Sequence, residues 1–270
     1  MEHDHPTLTA VHLYPTTMDT YGDRGNVTAL TKRAQWRGVE IAWRDVELGQ
    51  SAPAGCDLLF LGGGQDRVQR AVAEDLVTRH DWLAELAGGG TAMLAVCAGL
   101  QLLGTRYVDA SGGVLPGVGL LDLETVAGND RLIGNVVAEV VTGTGRHLLA
   151  GFENHGGKTY LGDTEPLGRV LAGHGNNGED GTEGARSGTL LATYLHGPVL
   201  PRNAWLADHL LSLALTHAGL DPALLPALDD GLEAAAREEA IAVAERDRRR
   251  DRRRGRPRRL LERLRGRATL

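Results

Sequence analysis

Short apolar runs alternate with segments of helical periodicity through the first hundred residues. Leu8-Thr9-Ala10-Val11-His12-Leu13 predicts a first strand, which Tyr14-Pro15 ends. A polar, glycine-bearing stretch from Met18 to Asn26 then leads into a helix through about Trp36. Val39 to Val46 alternates as a second strand, and Asp57 to Leu61 reads as a short buried third one. Gly62-Gly63-Gly64-Gln65-Asp66 follows at once, a sharp turn with Asp66 as the expected N-cap of a helix from Arg67 to about Leu86. Gly88-Gly89-Gly90 stops that helix. The next apolar run, Thr91 to Val96, enters Cys97-Ala98-Gly99-Leu100-Gln101-Leu102-Leu103-Gly104, whose spacing suits a helix, so Cys97 falls on a strand–turn–helix elbow.

This alternation argues for an α/β fold with a mostly parallel central sheet flanked by helices. Functional groups of such sheets gather at the carboxyl ends of the strands. Gly62 to Gly64 and Cys97 both stand at such ends and can face one crevice.

After Gly104 the texture changes. Val118–Val126, Arg131–Val141 and Leu149–Asn154 predict shorter strands with glycine-rich turns, the mark of an antiparallel portion. A polar loop from Gly173 to Gly184 precedes a clear strand, Gly188 to Leu195, which ends at His196-Gly197-Pro198. A helix from Asn203 to His217 closes the domain at Gly219. Asp229 to Arg254 favours helix, but its mixed charges past Glu238 leave too narrow an apolar stripe to bury firmly, and Gly255-Arg256-Pro257 breaks it. Residues 1–6 read as a disordered start and 221–270 as a helical to disordered, Arg-rich extension.

With 270 residues, 42% of them hydrophobic, the chain can build one sizeable α/β domain with additions, or two small domains. It has two cysteines, Cys56 and Cys97, and no secretory h-region precedes Thr7, so a disulfide scaffold is disfavoured and a cytoplasmic location is expected. No apolar run approaches the roughly 18 residues that cross a bilayer. The formal charge of −6 hides an asymmetry: Arg246 to Leu270 carries 13 arginines against Asp247, Asp251 and Glu262, about +10, so the residues before it sum to −16.

Two readings of Cys97 are open from its own stretch, a small buried hydrophobe or a nucleophile. A nucleophile needs a base, oxyanion donors and a means of positioning substrate. The Ala98 N–H and one from Gly62–Gly64 are natural oxyanion donors. Among ten histidines, His196 stands apart because it ends a strand about 100 residues after Cys97 and precedes Gly-Pro, while His12 and His155 read as core or loop groups.

Cys97 to Gly104 resembles the nucleophile elbow of class I, triad-type glutamine amidotransferases. Leu61-Gly62-Gly63-Gly64-Gln65-Asp66 and Tyr194-Leu195-His196-Gly197-Pro198 resemble the CobB/CobQ-like branch. Within it, Tyr14-Pro15, Met18 to Asn26, Phe152-Glu153-Asn154-His155-Gly156-Gly157 and Gly175 to Gly184 are similar to the glutaminase subunits that serve lipid II isoglutaminyl synthesis. The similarity runs from about residue 7 to 218, which makes 7–220 the amidotransferase domain.

The resemblance implies Cys97 as nucleophile and His196 as acid and base, with Gly63 and Ala98 holding the oxyanion. It implies Gln101 and Arg131 as contacts for L-glutamine, Arg131 through a bidentate grip on its carboxylate. Related enzymes place a carboxylate two residues after the histidine, where this chain has Pro198, so an orienting acid is expected from elsewhere in the chain or from a partner. No metal or cofactor is expected here. Gly156-Gly157-Lys158-Thr159 lacks the earlier glycine of a phosphate loop, so ATP and Mg are expected in a Mur-ligase-like synthetase partner, in a heterodimer that amidates D-glutamate of lipid II. A subunit serving a cobyrinate-type synthetase and a non-catalytic regulatory subunit are the alternatives. The basic tail reads as a solvated extension or as a contact with an anionic inner-membrane face, with no specific nucleic acid expected.

Overall fold

The computed structural model describes residues 5–19, 22–196 and 198–253. The expected disorder of residues 1–6 falls largely outside these, as do the Gly255–Pro257 break and the end of the basic tail. The first half of the chain runs β1 (Thr7–Leu13), α1 (Arg24–Gln35), β2 (Glu40–Val46), β3 (Leu58–Leu61), α2 (Asp66–Thr78), α3 (His80–Gly89), β4 (Ala92–Val96) and α4 (Ala98–Leu103). There follow β5 (Arg106–Val108), β6 (Val114–Pro116), β7 (Leu123–Thr142), β8 (Gly145–Leu161), β9 (Gly168–Ala172), β10 (Thr182–Glu183), β11 (Ala185–Ser187) and β12 (Leu190–Thr193). Helices α5 (Val199–Arg202), α6 (Ala204–His217) and α7 (Gly231–Arg253) end the described chain.

The strands make two sheets. The first has the order β11-β12-β4-β3-β1-β2, and every pair but β11–β12 is parallel. Every residue of β3, β4 and β12 is buried, as continuous apolar runs demand when helices cover both faces of a sheet. Strand order reverses between β1 and β3, so the crevice at their carboxyl ends is where an open α/β sheet binds ligands. The second sheet, β10-β9-β7-β5-β6 with β8 on β7, is mostly antiparallel.

Several elements differ from the sequence expectations. The antiparallel strands are longer than expected: the end of Val118–Val126, from Leu123, and all of Arg131–Val141 lie in one strand, β7, and Leu149–Asn154 is the middle of β8, the pairing of the two being interrupted by an irregularity between Ala127 and Leu132. The helix expected from Arg67 to Leu86 is two helices parted at Arg79, whose guanidinium bonds Asp75 and the Gln50 carbonyl. The N-cap of α2 is Gln65, one residue before the expected Asp66.

The narrow stripe of α7 does bury. Ala244 packs with Val137 and Ala172, with Ile241 beside them, because a methyl side chain lets the helix backbone approach the sheet. Asn135 Nδ2 donates to Asp247 Oδ2 at 3.2 Å, and Arg248 Nη1 to the Leu171 carbonyl at 3.0 Å. The segment before α7 is fastened by Arg33, buried on α1, which bonds both Asp208 of α6 and Asp230. Among the described residues no helix is long and apolar enough to cross a membrane.

Candidate active site

The loops after β1, β3, β4 and β12 converge over the strand-order reversal. Strand β4 ends at Cys97, which sits at φ 51° and ψ −104° and starts α4. Side chains avoid that region of backbone space; among the described non-glycine residues only Tyr14 and Cys97 have positive φ. The neighbours hold the strain in place. The Cys97 N–H donates to the Thr193 carbonyl at 2.8 Å, and the Gln101 N–H to the Cys97 carbonyl at 3.1 Å. Cys97 as a whole is 8% exposed.

His196 follows β12 and is 1% exposed. Its N–H donates to the Phe152 carbonyl at 2.7 Å, and the Phe152 N–H returns a longer bond of 3.4 Å, an isolated bridge between the two sheets. Nδ1 lies 3.5 Å from Asp23 Oδ1, and the Cys97 sulfur is the ring's other charged neighbour. Burial works to lower the pKa of the ring, but Asp23 and the Cys97 sulfur outweigh it and push it up to about 10. An imidazolium between a carboxylate and a sulfur is the arrangement that acid–base work on a thioester requires.

Gly63 closes the site from the β3 loop. A Cβ there would stand 2.8 Å from His196 Cε1 and 3.4 Å from Cys97 Cβ, so a side chain would collide with the base. Its N–H donates to Asp23 Oδ2 at 2.7 Å. Ala98 is buried in the first turn of α4, next to the thiol.

Asp23 was not singled out by the sequence, which gives it only as one polar residue in a glycine-bearing loop. It is fully buried. Pro198, two residues after His196, packs against the first turn of α1, directly after Asp23: a Cβ on Gly25 would fall 2.4 Å from Pro198 Cγ. Asn26 Oδ1 accepts the Leu200 N–H at 2.9 Å. The Pro198 segment thus seats the start of α1, whose N-cap Asp23 faces His196. An aspartate between glycines at the end of a first strand was the available signal.

Gln101 is buried, and both ends of its amide are engaged: Nε2 donates to the Tyr194 hydroxyl, and Oε1 accepts from Gln69 Nε2, each at 3.0 Å. Arg131 stands on β7 beside the irregularity, exposed. Its Nε donates to Asn154 Oδ1 and its Nη2 to the Asn154 carbonyl, each at 3.0 Å. Its partner Asn154 lies on β8 two residues from Phe152, the partner of His196; Arg131 itself bonds Asn154 rather than Cys97, Gly63 or His196. Cys97, Gly63 and His196 meet directly, with Ala98 adjacent.

The other sequence features settle as structure. His155 is buried and stacked on Tyr194 with ring centroids 3.6 Å apart. Cys56 is buried, and its thiol is pushed up to about 12, by burial first and Asp57 second. Lys158 of the Gly156–Thr159 run lies within β8 and pairs with Glu179, so the run is extended strand rather than a phosphate loop.

Comparison with known proteins identifies the family. The family model described as a CobB/CobQ-like glutamine amidotransferase domain matches residues 9–204. The subunit of Staphylococcus aureus named lipid II isoglutaminyl synthase (glutamine-hydrolyzing) subunit GatD is 38% identical over 246 residues, covering 90% of this chain and 98% of that protein. The protein of the same name in Streptococcus pneumoniae is 37% identical over 235 residues, covering 86% and 90%. A probable cobyric acid synthase of Methanothermobacter thermautotrophicus is 34% identical, but the match spans 76% of this chain and only 42% of that protein. The S. aureus match is longer than residues 7–218, so the likeness extends beyond the span that carries the motifs. Among solved structures, PurLQS from Thermotoga maritima shares the fold, with a TM-score of 0.53 at 19% identity over 79% of this chain and 99% of that one. The chain belongs to the CobB/CobQ-like glutamine amidotransferases.

Proposed function

We propose that this chain hydrolyses L-glutamine through a thioester on Cys97 and passes the ammonia to a Mur-ligase-like, ATP-dependent partner, which amidates D-glutamate of lipid II to D-isoglutamine. The observation that carries the reading is the meeting of Cys97, His196 and Asp23 at the strand-order reversal. The near full-length likeness to two proteins named as lipid II isoglutaminyl synthase subunits favours this partner over a cobyrinate-type synthetase, since this chain matches less than half of its cobyric acid synthase relative.

In this mechanism the Cys97 sulfur attacks the side-chain carbonyl carbon of glutamine. The carbon–nitrogen bond breaks as His196 gives its proton to the leaving nitrogen, and ammonia departs. Water then attacks the thioester, His196 takes its proton, and glutamate leaves with the sulfur restored. Asp23 orients the imidazole and favours its charged form, the role that Pro198 cannot fill. Ala98 and Gly63 N–H groups hold the oxyanion, which requires Gly63 to exchange Asp23 for substrate oxygen. Arg131 takes the glutamine carboxylate, and Gln101 supports the pocket floor through Tyr194. ATP and Mg2+ belong to the partner in this scheme. The arginines from Arg246 onward meet anionic headgroups at the membrane face that carries lipid II.

The decisive experiment is a glutaminase assay on wild type, Cys97→Ala and His196→Ala, with and without the synthetase partner. Glutamine hydrolysis by wild type and its loss in both variants supports the reading. Equal rates in wild type and Cys97→Ala overturn it. Flotation with anionic vesicles at low salt, full chain against a chain lacking Arg246 to Leu270, tests the tail: equal binding removes its membrane role.

A further inference from the structure

Glu183 is a fully buried carboxyl that the mechanism above does not use. It lies on β10 at the end of the glycine-rich loop, and one of its oxygens does unusual duty. Oε1 accepts the Thr193 hydroxyl at 2.6 Å and the Tyr194 N–H at 3.0 Å. The Thr193 hydroxyl in turn accepts the Leu195 N–H at 3.0 Å. A single carboxyl oxygen therefore sets three consecutive residues, and the next residue is His196. The same Thr193 offers its carbonyl to the Cys97 N–H at 2.8 Å. Nucleophile and base hang from one short turn.

The far side of Glu183 is as firmly held. Asn176, also buried, accepts the Gly184 N–H at 2.8 Å and donates to the Gly184 carbonyl at 2.9 Å and to Thr182 Oγ1 at 3.0 Å. Its side chain braces the residues on both flanks of Glu183. The other carboxyl oxygen, Oε2, is buried with no hydrogen-bond partner among the described residues. Leaving such an atom unpaired is unfavourable, and a plain packing role would be filled better by an apolar residue. Something else explains a carboxyl at this position.

We propose that Glu183 is a positioning residue: its carboxyl fixes the Thr193–Leu195 turn, and through it the aim of His196 and the seat of Cys97. The inference deepens the glutaminase reading and rests on it. Burial first, and Glu153 nearby, push this acid up to about 7 against the bonds from Thr193 and Tyr194. The neutral acid is thus accessible near neutral pH, and glutamine, which keeps the accepting oxygen, imitates it.

The test uses the full chain with Glu183→Ala, Glu183→Gln and Thr193→Val, the last removing only the hydroxyl link. Glutaminase kcat and KM are read together with the pH profile of Cys97 alkylation by iodoacetamide and with the melting temperature. A misplaced base costs rate steeply, so Glu183→Ala is expected to lower kcat by about tenfold or more with KM changed less than about twofold. Its alkylation profile should depart from that of wild type, Thr193→Val should follow in the same direction, and Glu183→Gln should recover most of the rate. Folded Ala and Val variants with unchanged kcat and alkylation profile overturn the proposal. So does a Gln variant as slow as the Ala variant while both melt with wild type. If Glu183→Ala does not fold, Thr193→Val alone decides. Should wild type hydrolyse no glutamine, the glutaminase reading fails, whereas the alkylation profiles still report whether Glu183 controls Cys97.

Discussion

Asp23 Oδ2 accepts the Gly63 N–H at 2.7 Å, shorter than the 3.5 Å between its other oxygen and His196. Asp23 thus touches the base and a donor that the reading assigns to the oxyanion. A carboxylate and a developing oxyanion cannot share one N–H. Turnover in this scheme therefore includes a small rearrangement of the β1 loop or of Gly63 before the tetrahedral intermediate forms.

Replacing Asp23 separates its two contacts. Asp23→Asn keeps an acceptor for Gly63 but removes the charge that favours imidazolium. Glutamine hydrolysis should fall by about tenfold to a hundredfold, in the range for disturbed general acid–base catalysis. The pH dependence of kcat/KM reports the His196 limb, which should move downward. An unmoved limb would mean that Asp23 does not act on the ring.

The raised pKa of His196 also links it to stability. A group bound more tightly to its proton in the folded state stabilises fully below its unfolded value near 6.5, and that contribution is lost as pH rises through about 10. Wild type should lose more melting temperature between pH 7 and 10 than His196→Gln, whose side chain does not titrate. Scanning calorimetry of both proteins across that interval provides the measurement; parallel curves would show that the proton contributes nothing to folding.

Cys97 stores backbone strain where the chemistry needs it. At φ 51° and ψ −104° a residue with a Cβ is disfavoured and glycine is not, so Cys97→Gly should be more stable than Cys97→Ala by about 1 kcal/mol while both are inactive. Urea unfolding of the two variants compares them directly. Equal midpoints and slopes would argue that the elbow is unstrained.

Gly25 and Pro198 offer a paired test of how Asp23 is seated. A methyl on Gly25 would lie 2.4 Å from Pro198 Cγ, and overpacking of this kind costs about 1–3 kcal/mol. Gly25→Ala should lower both stability and glutaminase rate, and Pro198→Ala in the same molecule should restore part of each. A double-mutant cycle on stability and rate measures the coupling, and strict additivity would place Asp23 under some other control.

Arg131 holds Asn154 with two donors, so its fork is already oriented on β8. For a carboxylate-binding role, Arg131→Lys should raise KM for glutamine by about tenfold with a smaller change in kcat, because a point charge does not reproduce a bidentate grip. Steady-state kinetics on the two proteins distinguishes this from a surface charge, for which neither constant moves.

Much of this architecture is legible in the chain. The apolar run before Cys97 could only be a buried strand, and the glycines after β3 and the histidine after β12 mark carboxyl ends of the same sheet. What escapes is whatever depends on distant partners. Asp23 reads like any polar loop residue, since its burial is decided by His196, 173 positions away. Gln101 carries an amide suited to substrate, yet Tyr194, 93 positions on, and Gln69 engage it. The joining of two expected strands into β7 is hidden by Gly128 to Arg131, where polar residues interrupt the alternation without ending the strand. The break at Arg79 has no glycine or proline to announce it; an ion pair and a carbonyl bond turn the helix instead.

The bridge between Phe152 and His196 gives the second sheet a mechanical part in the chemistry. The β7–β8 hairpin carries Arg131 at one point and bonds the backbone of His196 at another. If Arg131 takes the substrate carboxylate as proposed, a shift of the hairpin on binding is felt at the imidazole through the Phe152 backbone.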